Sequence, residues 1–204
     1  MNTTVKGTDG KLRCSWCSAT PDYIHYHDNE WGFPVDDDIR LFEKLCLEGF
    51  QSGLSWRTIL AKRDNFRAAF ANFDFNKVAK FSDADVERLL QDTGIVRHRG
   101  KIEAVINNAK RAQELVKQTG SLATYFWSFE PDASKLATPQ TASTSEASIA
   151  LSKALKKMGW KFVGPTTVYA FMQAMGLIND HADECLFRKK AAQALKQFKR
   201  PKQI

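Results

Sequence analysis

Apolar residues recur along most of this chain at intervals of three and four, the period of a helix with one buried face. The pattern predicts helices over 37–48, 55–63, 64–71, 83–91, 100–116, 121–127, 147–158, 166–175 and 180–195. No segment sustains the strict alternation of a half-buried strand. Start and stop signals agree with this reading. Ser82 with Asp85 has the form of a capping box, and Asp36 can cap the helix carrying Leu41 and Leu45. Gly120, Gly159 and Gly176 fall where helices should end. Residues 131–145 are rich in Ser, Thr, Ala and Pro and read as an exposed loop. No internal repeat is visible. The expected fold is all-α.

Composition narrows the class. A chain of 204 residues with 43% apolar content can bury a sizeable core, as one domain or two small lobes sharing it. No run approaches the roughly 18 apolar residues of a membrane span, and the first residues form no secretory signal. The expected location is cytoplasmic, where the four cysteines are free or metal-bound rather than paired. Cys46, in Leu45-Cys46-Leu47, reads as a buried structural thiol. The net charge of +7 comes from one end: seven Lys and Arg and no acid lie in 188–204, and the other 23 basic residues equal the 23 acidic ones. That basic tail either strengthens non-specific DNA binding or simply solubilises the end.

Two thiols and two imidazoles stand at opposite ends of the chain: Cys14 and His27, then His181 and Cys185. That is the donor set of a closed tetrahedral zinc site. The spacing His181-x3-Cys185 puts both donors on one face if the segment is helical. Cys14-x12-His27 is looser, and Cys17 adds a Cys14-x2-Cys17 half-site that could compete. One ion shared by all four would tie the two ends together.

Residues 16–56 hold Trp16, Trp31, Trp56, Tyr23 and Tyr26, interleaved with His25, His27, Asp28, Glu30 and Glu48. Trp and Tyr need partners for their polar atoms, so their concentration in a polar stretch suggests an aromatic pocket for a flat, cationic ligand. A second hydrophobic core is the competing reading. Glu48 bears on the choice. Leu41, Leu45 and Glu48 stand at i, i+4 and i+7, so the carboxylate lies along the apolar stripe and needs a charged or hydrogen-bonding partner. Next to Gly49, it could instead swing into water.

In residues 86–109 an amphipathic helix ends near Gly94, a tight turn follows, and a second helix begins near Gly100. Gly94 is expected to supply a positive φ there. Arg97, His98, Arg99 and Lys101 cluster at the N-terminal end of the second helix, where free N–H groups and the dipole favour an anion. The arrangement resembles a helix-hairpin-helix element gripping a DNA phosphate; an ordinary αα-corner with a solvated basic face is the alternative.

Several segments together resemble the DNA-3-methyladenine glycosylase I family: Tyr26-His-Asp-Asn-Glu-Trp-Gly32, Cys46-Leu-Glu-Gly49, Gly53-Leu-Ser-Trp56, Gly94-Ile-Val-Arg-His-Arg-Gly-Lys101, Phe162-Val-Gly164, Phe171-Met-Gln-Ala174 and Gly176-Leu-Ile-Asn-Asp-His181. They run in collinear order over roughly 85% of the chain, from about Arg13 to Cys185.

The resemblance implies a helix-hairpin-helix glycosylase-like bundle with a zinc-clamped lobe joining its ends. It divides the chain into a flexible arm (1–12), a glycosylase domain (13–187, its hairpin about 83–116) and the basic tail (188–204). One structural zinc on Cys14, His27, His181 and Cys185 carries over, as does a base pocket of Glu48, Tyr26 and Trp56, with Trp16, Tyr23 and Trp31 as further lining. Glu48 is the candidate for chemistry or recognition, and Gly94, Arg97, Arg99 and Lys101 for contact with the DNA backbone. The implied activity is monofunctional excision of 3-methyladenine from double-stranded DNA by a monomer, without membrane association. A non-catalytic sensor of alkylated DNA would use the same features. Many glycosylases of this superfamily carry an activating Asp after the hairpin. Here the stretch after Lys101 offers Glu103 and Glu114, then Glu130 and Asp132 in the expected loop, none convincing, as the resemblance implies.

Overall fold

The computed structural model describes residues 3–202, and residues 1–2 of the expected arm and 203–204 of the expected tail lie outside them. Eleven α-helices are found among the described residues: α1 (Pro21–Asn29), α2 (Asp38–Gln51), α3 (Trp56–Ala61), α4 (Arg63–Ala69), α5 (Phe75–Val78), α6 (Asp83–Gln91), α7 (Arg99–Thr119), α8 (Leu122–Trp127), α9 (Glu146–Lys157), α10 (Pro165–Ala174) and α11 (Leu186–Gln197). Seven of the nine predicted segments coincide with α2, α3, α4, α6, α7, α8 and α10 to within a few residues, and an eighth with α9.

The helix α2 is the axis of the molecule. Every residue from Leu41 to Phe50 is buried, because α3, α7, α8 and α10 all pack on it. Its N-cap is Asp37, whose side chain accepts from the Arg40 amide, one residue later than the expected Asp36. The long α7 starts at the His98 cap and stops at Gly120, where φ is +85°. Gly176 ends α10 for a second reason besides its φ of +79°: a Cβ there would lie 2.5 Å from the backbone of Phe33 and Pro34. The loop before α2 therefore passes directly under the end of α10.

Three expectations change. First, the arm is not simply flexible, and the fold is not purely helical. Strands β1 (Thr4–Lys6) and β2 (Leu12–Cys14) pair antiparallel, with Val5 opposite Arg13. The pairing is held from outside the ribbon: buried Arg13 bonds Asp9 at 2.7 and 2.8 Å and Asp28 of α1 at 2.8–3.0 Å. No alternation was there to announce it. Second, α1 was not anticipated. Its residues Pro21-Asp-Tyr-Ile-His-Tyr-His-Asp-Asn29 carry no apolar stripe, but Thr20 caps the Tyr23 amide and Pro21 occupies the first turn. Third, the predicted helix 180–195 starts only at Leu186, with Cys185 as its N-cap. The Asn179 side chain accepts from the His181 amide at 3.4 Å and Asp180 bonds the Gln140 amide at 2.9 Å, so this segment is held outside the helix. Residues of the basic tail form most of α11, which buries Phe187 and Ala191. Beyond it, Phe198 rests on Trp127 with ring centroids 4.5 Å apart.

Candidate active site and candidate metal centre

All six predicted pocket residues, Trp16, Tyr23, Tyr26, Trp31, Glu48 and Trp56, line one cleft of about 290 Å³. That is at the small end of ligand pockets, which run from about 300 Å³ upward. Helix α1 supplies Tyr23 and Tyr26, α2 supplies Glu48, and the first residue of α3 is Trp56. Gln140, Gln173 and Asp180 complete the opposite side. Sequence reasoning missed these three, because the loop residues Gln140 and Asp180 carry no periodic signal. Gln140 also corrects the loop: it is half-buried, with φ +62°, and its amide donates to Asp180.

Glu48 is 5% exposed and does not reach into water. Its Oε1 accepts from Lys44 Nζ at 2.7 Å, one helical turn earlier on α2. Lys44 is wholly buried; its Nζ also donates to the Tyr26 hydroxyl at 2.8 Å and lies 3.0 Å from the Trp56 ring centroid. Burial lowers the Lys44 pKa to about 8, with Glu48 pulling the other way. Burial also holds Tyr26 well above its ordinary value and raises Asp180. The rings of Tyr26 and Trp56 are 5.4 Å apart and tilted by 42°, in mutual contact. They form one wall of the cleft, not the two sides of an open slot. Two buried donors in the lining, Trp56 Nε1 and Gln140 Nε2, have no protein partner. Trp56 Nε1 is suited to an acceptor on a ligand, whereas the Gln140 side chain also reaches Cys14.

The carboxylates after the hairpin stand elsewhere. Glu103 pairs with Arg99, Glu114 with Arg111 and Glu130 with Arg200, while Asp132 caps a short turn. None of the four lines the cleft.

Behind the aromatic wall lie the predicted metal donors. Ligand atoms of Cys14, His27 and Cys185, all buried, lie within 4.8 Å of one another. His181 sits beside them, its ring 5.1 Å from that of His27. The outer nitrogens of both rings are engaged: His27 Nδ1 meets Asp28 Oδ1 at 2.8 Å, and His181 Nδ1 meets Asn179 Oδ1 at 3.0 Å. Such partners fix the tautomer in which Nε2 is free to ligate. His27 Nε2 is 3.5 Å from Cys185 Sγ, and buried His181 Nε2 has no protein partner. His181 is not within 4.8 Å of all three other donors, but an orphaned buried nitrogen beside them fits a fourth metal ligand. Cys17 also lies beside His27 and stays open as a neighbour of the site. The donors and the cleft share a wall: Trp16 packs on His27 at 5.3 Å, and Trp31 on His181 at 4.6 Å.

The predicted hairpin is a helix–turn–helix formed by α6 and α7. Gly94 lies in its turn but not at positive φ. It is there for space: a Cβ would meet Asp92 Oδ1 at 2.9 Å and Asn65 Cγ at 3.0 Å. Arg97 is exposed without an ion-pair partner among the described residues, and exposed Arg99 pairs with Glu87 at 2.5 Å. Lys101 departs from its expected role. Its Nζ points inward and donates to the carbonyls of Phe50 at 2.9 Å and Ser52 at 2.6 Å. The C-terminal carbonyls of α2 lack helical partners and favour a cation, which draws Lys101 away from solvent.

Comparison with known proteins decides the family. The methyladenine glycosylase family model matches residues 16–189. The chain is 53% identical over 177 residues to DNA-3-methyladenine glycosylase 1 of Escherichia coli (strain K12), covering 85% of this chain and 95% of that one. The chain belongs to the methyladenine glycosylase family. Among solved structures, 3-methyladenine DNA glycosylase I superposes with a TM-score of 0.81 at 51% identity, over 85% of this chain and 98% of that one. A variant of 3-methyladenine DNA glycosylase I, solved in complex with 3-methyladenine, superposes with a TM-score of 0.77 at 33% identity, over 94% and 99% of the two chains. The match to the methyladenine glycosylase model takes in Glu48, the aromatic wall and the α6–α7 turn. It starts just after Cys14, so that donor is found by geometry rather than by the family match.

Proposed function

We propose that this protein excises 3-methyladenine from alkylated double-stranded DNA by hydrolysing the N-glycosidic bond, acting as a monomer in base-excision repair. The observation that carries the reading is Glu48, a carboxylate buried in an aromatic cleft with the unpartnered donor Trp56 Nε1, in a chain of the methyladenine glycosylase family. The substrate base is flipped out of the duplex into the cleft. N3-methylation makes the purine cationic, so the bond to C1′ is already weak. Trp56 and Tyr26 offer an aromatic wall, Glu48 a carboxylate, and Trp56 Nε1 a hydrogen bond to a ring acceptor. As the bond breaks, its electron pair goes to the base, which leaves neutral, and water adds to C1′ and loses a proton to solvent to give an abasic site. None of Glu103, Glu114, Glu130 and Asp132 lines the cleft, and Asp180, which does, is already engaged by the Gln140 amide and the Gln173 side chain, which supports a mechanism resting on selective binding of a good leaving group.

The α6–α7 turn is proposed as a helix-hairpin-helix grip on the DNA backbone, with Arg97 and Arg99 as its exposed cations and Lys101 as an internal brace. One structural zinc is proposed on Cys14, His27, His181 and Cys185. When bound, it supplies no chemistry to the reaction and holds the wall of Trp16 and Trp31 in place; four protein ligands leave no position for water.

Single-turnover release of 3-methyladenine from duplex DNA tests the reading. Glu48→Gln is expected to slow release at least about tenfold while leaving the helical spectrum intact. Equal rates in the two proteins would contradict the role given to Glu48. Tight duplex binding by the native protein with no release would make it a sensor instead. Nicked DNA in the absence of a lyase would contradict the monofunctional hydrolase.

A further inference from the structure

Lys44 and Glu48 stand at i and i+4 on α2, and both turn toward the cleft wall. Lys44 has no exposed surface, and its ammonium touches three residues that line the cleft: Glu48, Tyr26 and Trp56. A carboxylate, a phenol oxygen and an aromatic face are the groups that would hold a cationic base. An apolar side chain at position 44 would fill the same volume without the cost of burying a charge. The charge is therefore the distinctive feature of this position.

We propose that Lys44 is a specificity-determining residue, a resident cation that takes the Glu48, Tyr26 and Trp56 contacts for itself, so that a positively charged base enters the cleft only in competition with it. This inference rests on the base-cleft reading above. Lys44 cancels the charge of Glu48 and leaves Asp180 as the net negative group of the lining. Arg40 of α2 and Arg63 of α4 face Lys44 as like charges, and Glu30 at the C-terminal cap of α1, which both arginines bond, offsets them. Tyr26, raised well above its ordinary range by burial, keeps its proton throughout.

The competition has a definite sign. Burial has brought the Lys44 pKa down to about 8, so near neutral pH the folded protein is close to giving up this proton. A base with fixed positive charge beside Glu48 favours the neutral amine still further. Its binding releases a proton, and its apparent affinity scales with the fraction of neutral Lys44. At pH 7 that fraction is about one in ten, and the affinity is reduced about tenfold. A neutral base meets no such cost.

Calorimetric titration of the native protein with two ligands tests this: 3,9-dimethyladeninium, a permanent cation, and free 3-methyladenine in its neutral form. Affinity for the cation should rise with pH and level off above about 8. Its binding near neutrality should release close to one proton, read from the dependence of the heat on buffer. The neutral base should show neither effect. In Lys44→Met the cation should bind about tenfold tighter at pH 7 with no proton released, and the neutral base should be little changed. Flat pH dependence and no proton release for the cation in the native protein would overturn the proposal without use of a variant. Equal binding of the cation by native and Met proteins would also overturn it. Failure of either ligand to bind the native protein would remove the base-cleft reading, and the role of Lys44 with it.

Discussion

Glu48 was legible because its spacing set a carboxylate on an apolar stripe, and burial demands a partner for such a group. That partner was on the same helix, four residues back, at a spacing sequence alone can offer. What sequence could not give was the choice among Lys44, the other cations of α2 and solvent, which depends on how α1 and α3 close over that face. Asp180 and Gln140 were less accessible still, since both reach the cleft from irregular segments. Among the metal donors the residue types were readable, but their geometry was not: His181 comes from a loop held by Asn179, not from a helical face shared with Cys185. Asp28 supports the other imidazole. Burial opposes its charge, yet its bonds to Arg13 and His27 outweigh this and hold the carboxyl below the usual range. Asp28→Asn should therefore weaken zinc retention by about 10–100-fold in competition with a chromogenic chelator. Unchanged retention would mean that His27 is oriented by packing alone.

At the scale of elements, periodicity located the helices that bury one face, such as α6 and α7, and also α2, whose apolar stripe stands out although it is buried all round. It failed for α1, whose aromatic and polar residues face the cleft and the metal donors, and for the four-residue α5. The β1–β2 ribbon was invisible because Arg13 anchors it to α1 across the lobe. The α6–α7 turn was found from its glycine and its cations, and the structure divides those cations into exposed Arg97 and Arg99 and inward-turned Lys101. Arg97→Ala should weaken duplex binding uniformly across sequences and lower the salt slope by about one unit. Lys101→Met should leave that slope unchanged but cost about 1–3 kcal/mol in chemical unfolding, because the Phe50 and Ser52 carbonyls lose their donor. A salt slope that falls for Lys101→Met and not for Arg97→Ala would reverse the assignment.

Across the whole molecule, residues separated by more than 150 positions meet where Cys14, His27 and Cys185 cluster with His181 beside them, and the cleft leans on this cluster through Trp16 and Trp31. Zinc retention and base excision should therefore fail together. Stoichiometry by atomic absorption should give one zinc per chain, and removing it should lower the melting temperature and abolish release of base. His181→Ala should do the same; normal stability in that variant without zinc would contradict the clamp. Among the described residues no helix is long and apolar enough to cross a membrane. The basic face of α11 adds charge without lining the aromatic cleft. The central claim, that this cleft excises an alkylated purine, is tested most directly by chromatography of the free bases released from globally methylated duplex DNA. The account predicts that 3-methyladenine appears and that 7-methylguanine stays almost entirely in the duplex. Release of both bases alike, or of neither, would contradict it.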